Sequence, residues 1–224
     1  MRKQYFLQTG LFVVAFMALV SLNSVAKAQY DHFIFGVDYY PEHWDESLWE
    51  QDAILMKEAG VNTVRMGEFA WYYFEPEEGV YQFELFDKAI EIMAKHDIKV
   101  IMGTPTATPP KWLTDKYPEV LASNNEGIKY NDQSRRFVTL NSPKYLELSR
   151  KIVDKMANHY ADNENVIGWQ IDNEFNCHIS EYYGESDEVA FREFLKKKYG
   201  TLEQLNEAWG TKVWSQYYTA WEQV

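Results

Sequence analysis

The chain has 224 residues and a formal net charge of −12, with 34 acidic side chains against 22 basic ones. An acidic surplus with no basic block argues against nucleic acid or an anionic membrane surface as a partner. A lone cysteine, Cys177, excludes an internal disulfide framework, so the core must hold by packing.

Residues 1–28 read as a signal peptide. Arg2 and Lys3 give a positive start, Gly10 to Leu22 is an apolar run too short for a membrane span, and Ala26-Lys27-Ala28 is a small-x-small cleavage site. Its removal takes away Arg2, Lys3 and Lys27 and no acid, moving the charge from −12 to −15. The protein is therefore expected outside the cytoplasm, in the periplasm or the medium, with residues 29–224 as the folded part.

Along those residues short apolar strands alternate with helical patterns, which predicts α/β structure with parallel strands. Phe33 to Tyr39 is the first expected strand. A helix follows from Trp49 to Ala59, with Trp49, Ile54, Leu55 and Ala59 as its apolar positions and Gly60 as its stop. Val61 to Met66 is the second strand. Leu85 to Lys95 is a helix with Phe86, Ala89, Ile90 and Met93 on one side, and Lys99 to Met102 is the third strand.

The Pro-rich turn Thr104 to Pro110 leads into a short helix around Trp112. Asn141-Ser142-Pro143 opens a long helix, Ser142 placed to cap and Pro143 to start it. Leu146, Ile152, Val153, Met156 and Tyr160 fall on its expected buried side. Val166 to Ile171 is the fourth strand, and Gly200-Thr201 divides helices at Ala190 to Lys198 and Leu202 to Trp209.

Four β-then-α units make half of a (β/α)8 TIM barrel, whose full length is about 250 residues. An open Rossmann-like sheet fits less well, because no glycine-rich phosphate loop follows the first strand. Half a barrel also predicts exposed apolar edges.

Barrel chemistry sits at the carboxyl ends of strands. Here those ends read Asp38-Tyr39-Tyr40-Pro41-Glu42-His43-Trp44, Gly67-Glu68-Phe69-Ala70-Trp71, Gly103-Thr104-Pro105-Thr106 and Asp172-Asn173-Glu174. Glu174 is the sharp candidate. A partly buried Glu flanked by a second carboxylate can keep its proton and give it to a leaving oxygen, as glycoside hydrolysis requires. A surface carboxylate at a helix start is the plainer reading.

Asn173 could hold a sugar hydroxyl or merely cap a loop. Arg65 could fix a carboxylate through its donor fork, or pair structurally with Glu68 or Asp38. His43 and Trp44 could line a sugar site or close a loop. Cys177-His178 lacks the spacing of a zinc site, and a buried thiol is the default for Cys177.

Several segments resemble glycoside hydrolase family 42 β-galactosidases. They include G-V-D-Y-Y-P-E-H-W from Gly36, V-R-M-G-E-F-A-W from Val64, E-P-E-E-G-V-Y-Q-F from Glu75 and T-P-T-A-T-P-P-K-W-L from Thr104. N-S-P-K-Y from Asn141, W-Q-I-D-N-E from Trp169 and the tail from Tyr199 through Gln216 continue the likeness. It implies a (β/α)8 barrel followed by smaller domains, a homotrimer, and retaining hydrolysis of terminal non-reducing β-D-galactosyl residues.

By the same resemblance Glu174 is the acid/base, Asn173 contacts the sugar 2-hydroxyl, and Arg135 belongs to the galactose site. Arg65 steadies the nucleophile, with Glu68 in the same network. The nucleophile is a Glu at the seventh strand, which the chain does not reach, so the fragment alone is expected to be inactive. Some members carry a zinc-binding cysteine cluster. Phe137-Val138-Thr139-Leu140 stands where one of its cysteines would be, so no metal and no cofactor are expected.

β-Galactoside oligosaccharides are the expected substrates. The competing readings are a non-catalytic carbohydrate-binding remnant, half of a split enzyme, or another barrel glycosidase acting on a galactose-containing polysaccharide.

Overall fold

A computed structural model describes residues 33–131, 135, 137–175 and 177–224. The expected signal peptide, residues 1–28, lies outside the described residues. From Phe35 to Val224 the chain forms one compact unit. Among the described residues no helix is long and apolar enough to cross a membrane.

Four strands form one parallel sheet in the order β1-β2-β3-β4: β1 Gly36–Asp38, β2 Thr63–Met66, β3 Lys99–Gly103 and β4 Val166–Gln170. Spatial order follows chain order, with helices between the strands. They are α1 Glu46–Glu58, α2 Trp71–Phe74, α3 Glu84–Lys95, α4 Lys111–Lys116 and α5 Pro143–Tyr160, with α6 Glu185–Tyr199 and α7 Leu202–Trp209 after β4. The α/β reading holds, and each expected strand is present. The first is shorter than Phe33 to Tyr39, although Phe35 and Asn62 still exchange hydrogen bonds below its start.

The helix ends follow local chemistry. Past α1 the Gly60 amide donates to the Lys57 carbonyl and the Val61 amide to the Met56 carbonyl, with Gly60 at φ +84°. That is a Schellman stop, whose left-handed residue favours glycine. Ser142 accepts a hydrogen bond from the Tyr145 amide and Pro143 begins α5, as its sequence predicts.

Phe86, Ala89, Ile90 and Met93 of α3 are all buried against β2 and β3, where Val64, Met66, Val100 and Met102 are fully enclosed. Tyr145, Leu148, Ile152 and Met156 of α5 cover the same core.

Two apolar assignments change. On α1 the buried pair is Trp49 and Ala53, one turn apart, while Leu55 and Ala59 are exposed and Ile54 is half-buried. On α5 Leu146 and Val153 are half-buried. They line a cavity of about 360 Å³ with Ile171 and Phe175 beyond the β4 end. The sheet margins are apolar and open: Val37 on β1 and Trp169 on β4 are exposed, and Ile171 just past β4 is 65% exposed. Half a barrel has such edges, because among the described residues neither flanking strand has a second neighbour.

Candidate active site

The carboxyl ends of the four strands carry two polar centres joined by a row of rings. The first centre surrounds Glu68, whose side chain is fully buried. Its Oε1 accepts hydrogen bonds from the Arg65 Nε at 3.1 Å and the Tyr40 hydroxyl at 3.0 Å, with an Arg65 terminal nitrogen also 3.1 Å away.

Arg65 reaches the Asp38 carboxylate as well, at 2.9 Å. Both partners weighed for Arg65 are thus real, and one fork holds them. Burial, then the charge of Glu68, pushes the Tyr40 hydroxyl up, so it stays a donor. The position is tight from behind. A Cβ on Gly103 at the end of β3 would fall 2.5 Å from the Glu68 Cβ and 2.8 Å from its backbone.

The second centre is the turn after β4. Asp172 and Glu174 both have left-handed backbones, φ +59° and +46°, on either side of Asn173. Such angles are uncommon without glycine and persist only where neighbours enforce them. The enforcement is visible. The Asp172 amide donates to Thr104 Oγ1 at 2.7 Å, and Thr106 Oγ1 donates to the Asp172 carboxylate at 2.6 Å. The Gln170 amide nitrogen donates to the Asp172 carbonyl at 2.8 Å and to Asn173 Oδ1 at 3.0 Å. Asp172 therefore builds the turn, and its carboxylate is occupied there.

Glu174 differs from its sequence-based expectation in one respect. It is exposed rather than partly buried, its side chain 53% accessible, and its Oε2 lies 2.9 Å from a terminal nitrogen of Arg135. The enclosure that would help hold a proton is not supplied by the described residues. Arg135 also donates to His178 Nε2 at 3.2 Å and lies over the Phe69 ring, 5.4 Å from its centroid.

Phe69 stacks on Tyr40 at 5.9 Å and Tyr40 on His43 at 5.3 Å. One line of contact thus runs from the β1 loop across the β2 loop to Glu174. Glu174, Asn173 and Arg135 come together. Arg65 and Glu68 form the neighbouring centre, and Phe69 connects the two. His43 joins the row, whereas Trp44 lies exposed beside α1. Cys177 is half-buried rather than buried.

Sequence reasoning missed the ring row and the partner of Arg135. Apart from the Tyr40–His43 step, both are made between residues far apart in the chain and have no local signal. Among the described residues no group of three or more His, Cys, Asp or Glu side chains could hold a metal ion.

Residues 38–224 match the glycoside hydrolase family 42 profile, described as β-galactosidase. The β-galactosidase BgaA of a Thermus species is 48% identical over 192 residues, which are 85% of this chain and 30% of that protein. The crystal structure of a β-galactosidase from the psychrophilic Marinomonas ef1 superimposes with a TM-score of 0.82 at 44% identity, covering 86% of this chain and 29% of that one. The enzyme of the Antarctic haloarchaeon Halorubrum lacusprofundi, described as a polyextremophilic β-galactosidase, gives 0.83 at 42%, with the same coverage.

The chain spans about 30% of the length of the curated relatives it matches. Its four parallel β/α units are the corresponding part of a (β/α)8 barrel. On the profile match and these likenesses together, the chain belongs to glycoside hydrolase family 42.

Proposed function

We propose that this chain is the acid/base-bearing portion of an exported, retaining β-galactosidase. The observation that carries the reading is the β4 turn of a family 42 chain, where Glu174 follows Asn173 and bears Arg135 on its carboxylate. Glu174 gives its proton to the leaving glycosidic oxygen. A second carboxylate, standing about 5–5.5 Å from that of Glu174, attacks the anomeric carbon as the glycosidic bond breaks and forms the glycosyl-enzyme. Glu174 then takes the proton of the water that releases galactose.

Asn173 presents its amide to the sugar, its carbonyl being fixed by Gln170. Arg135 orders Glu174 before substrate arrives and binds a galactose hydroxyl afterwards. Arg65, held by Glu68 and Asp38, steadies the surroundings of the second carboxylate. Closure of the remaining barrel against the open β4 edge would supply the cover that Glu174 lacks.

Export follows from the leader at residues 1–28, and a homotrimer is the proposed assembly. The intact mass of the mature protein from its own host tests the leader, because cleavage leaves Gln29 as the first residue. The activity is tested on the full-length protein with an aryl β-galactoside, following the released anomer by proton NMR. β-Galactose as the first product is expected. First release of α-galactose, or binding without turnover, defeats the retaining reading.

A further inference from the structure

We infer that Glu42 is a positioning residue whose protonated carboxyl donates to the bare oxygen of Glu68, directly or through one enclosed water, and so fixes Arg65. The inference deepens the proposed galactosidase reading and rests on it for its catalytic consequence.

Three carboxyl oxygens carry it. Both oxygens of Glu42 and Oε2 of Glu68 are buried and take no hydrogen bond from another residue, while Oε1 of Glu68 accepts from both Arg65 and Tyr40. The Glu42 side chain is only 1% exposed. A buried acceptor without a donor costs free energy, and a second buried carboxylate whose charge reaches the first costs more. One proton held between them relieves both, since a protonated carboxyl is a donor and the remaining Glu68 oxygen is an acceptor.

The surroundings favour Glu42 as the proton's seat. Glu68 has the Arg65 guanidinium against it, whereas the nearest cationic candidate to Glu42, His43 Nε2, stands 3.9 Å away and is largely exposed. Burial pushes the Glu42 carboxyl up to about 7, against the opposing pull of its own backbone amide and with the charge of Glu68 adding to the rise.

The groups facing Glu42 are accounted for. Tyr40 and His43 share its turn, and Glu68, whose charge reaches it, belongs to the ion cluster with Arg65 and Asp38. In front, Glu46 of α1 with Glu84 and Lys88 of α3 line a cavity of about 450 Å³ that Glu42 also borders. Lys88 is already paired with Glu46. Loss of the Glu42 proton would place a second uncompensated carboxylate beside Glu68 and draw Arg65 away from its present pairing.

The experiment uses the full-length protein with carboxyl-labelled glutamate, titrated by carbon-13 NMR between pH 4 and 9, alongside the pH profile of β-galactoside hydrolysis. With the resonance of Glu174 identified by its loss in Glu174→Gln and set aside, one glutamate is expected to titrate near pH 7, and its signal to vanish in Glu42→Gln. Activity should fall about tenfold between pH 6 and pH 8 in the natural protein, because only about a tenth of Glu42 keeps its proton at pH 8. That alkaline limb should move upward in Glu42→Gln, whose amide donates at every pH.

With the Glu174 resonance set aside, no glutamate titrating near neutrality, or one that persists in Glu42→Gln, overturns the inference. An alkaline limb unchanged by the substitution also overturns it. If Glu42→Gln does not fold, Glu68→Gln replaces it and should move the same resonance toward the ordinary range; failure to move is again fatal. A protein that shows the titration but no galactoside turnover refutes the enzymatic reading alone, so the two failures are distinguishable.

Discussion

Glu68 and Glu174 each lie shortly after a strand of the same sheet, and each meets an arginine, yet their environments are opposite. Glu68 follows β2, which has a neighbour on both sides, and β3 presses close enough that Gly103 leaves no room for a side chain. Glu174 follows β4, which is bordered on one side only, and it stands half in solvent with Arg135. A residue's chemistry at a barrel mouth thus depends on how many adjoining strands have been laid down, as much as on its own identity. Inner positions are finished by the chain itself. Margin positions wait for their neighbours.

The contrast can be broken most directly at Glu174. In the full-length protein Glu174→Gln should lower kcat by about 10²–10⁴, the usual range for loss of a general acid. Its stability should change by under about 0.5 kcal/mol, because an exposed ion pair contributes little. Parallel kinetics and denaturant melts read the two effects separately, and a large stability loss would contradict the open setting of this carboxylate.

The closed centre should instead respond through folding, starting with pH. The folded value of Glu42, about 7, lies above its ordinary 4.5, so the native state keeps a proton that the unfolded state has surrendered. Its contribution is full below pH 4.5, declines as pH rises, and is gone above about 7. The difference is about 3 kcal/mol. Urea midpoints measured across that range should fall in the natural protein and flatten in Glu42→Gln.

Removing the buried acceptor comes next. Glu68→Ala strands the Tyr40 hydroxyl and one side of Arg65, and should cost about 2–3 kcal/mol in a denaturant melt, discounted because Arg65 is partly exposed and keeps Asp38. Gly103→Ala should cost about 1–3 kcal/mol by overpacking against Glu68, visible as a lower melting temperature. If it were neutral, the close approach of β3 to the Glu68 backbone would be looser than described.

Much of the fold was legible because it is local. Alternation of strand and helix, the Gly60 stop and the Ser142 cap each depend on residues within a few positions, and each is present. The α3 face was also readable, since it packs on two complete strands. Reading failed where the packing partner decides. Ala53 replaced Leu55 on the inner side of α1, and Leu146 and Val153 were left half-covered where α5 overhangs the β4 margin.

At the candidate site the strand-end positions singled out Glu174, Asn173, Arg65 and Glu68, and resemblance alone added Arg135. The accessibility of Glu174, the enclosure of Glu42 and the service of Asp172 as a structural clamp were not legible. All three involve side chains distant in the chain: Arg135, Glu68, and the threonines at 104 and 106.

The spatial order of the sheet also bears on how the molecule is made. Because β1, β2, β3 and β4 adjoin in the order in which they leave the ribosome, every strand after the first finds a partner already made when it emerges. No strand among the four has to wait for a later one to insert between itself and its predecessor. Elongation can therefore extend the sheet by one strand at a time, with the last strand made always being its growing edge.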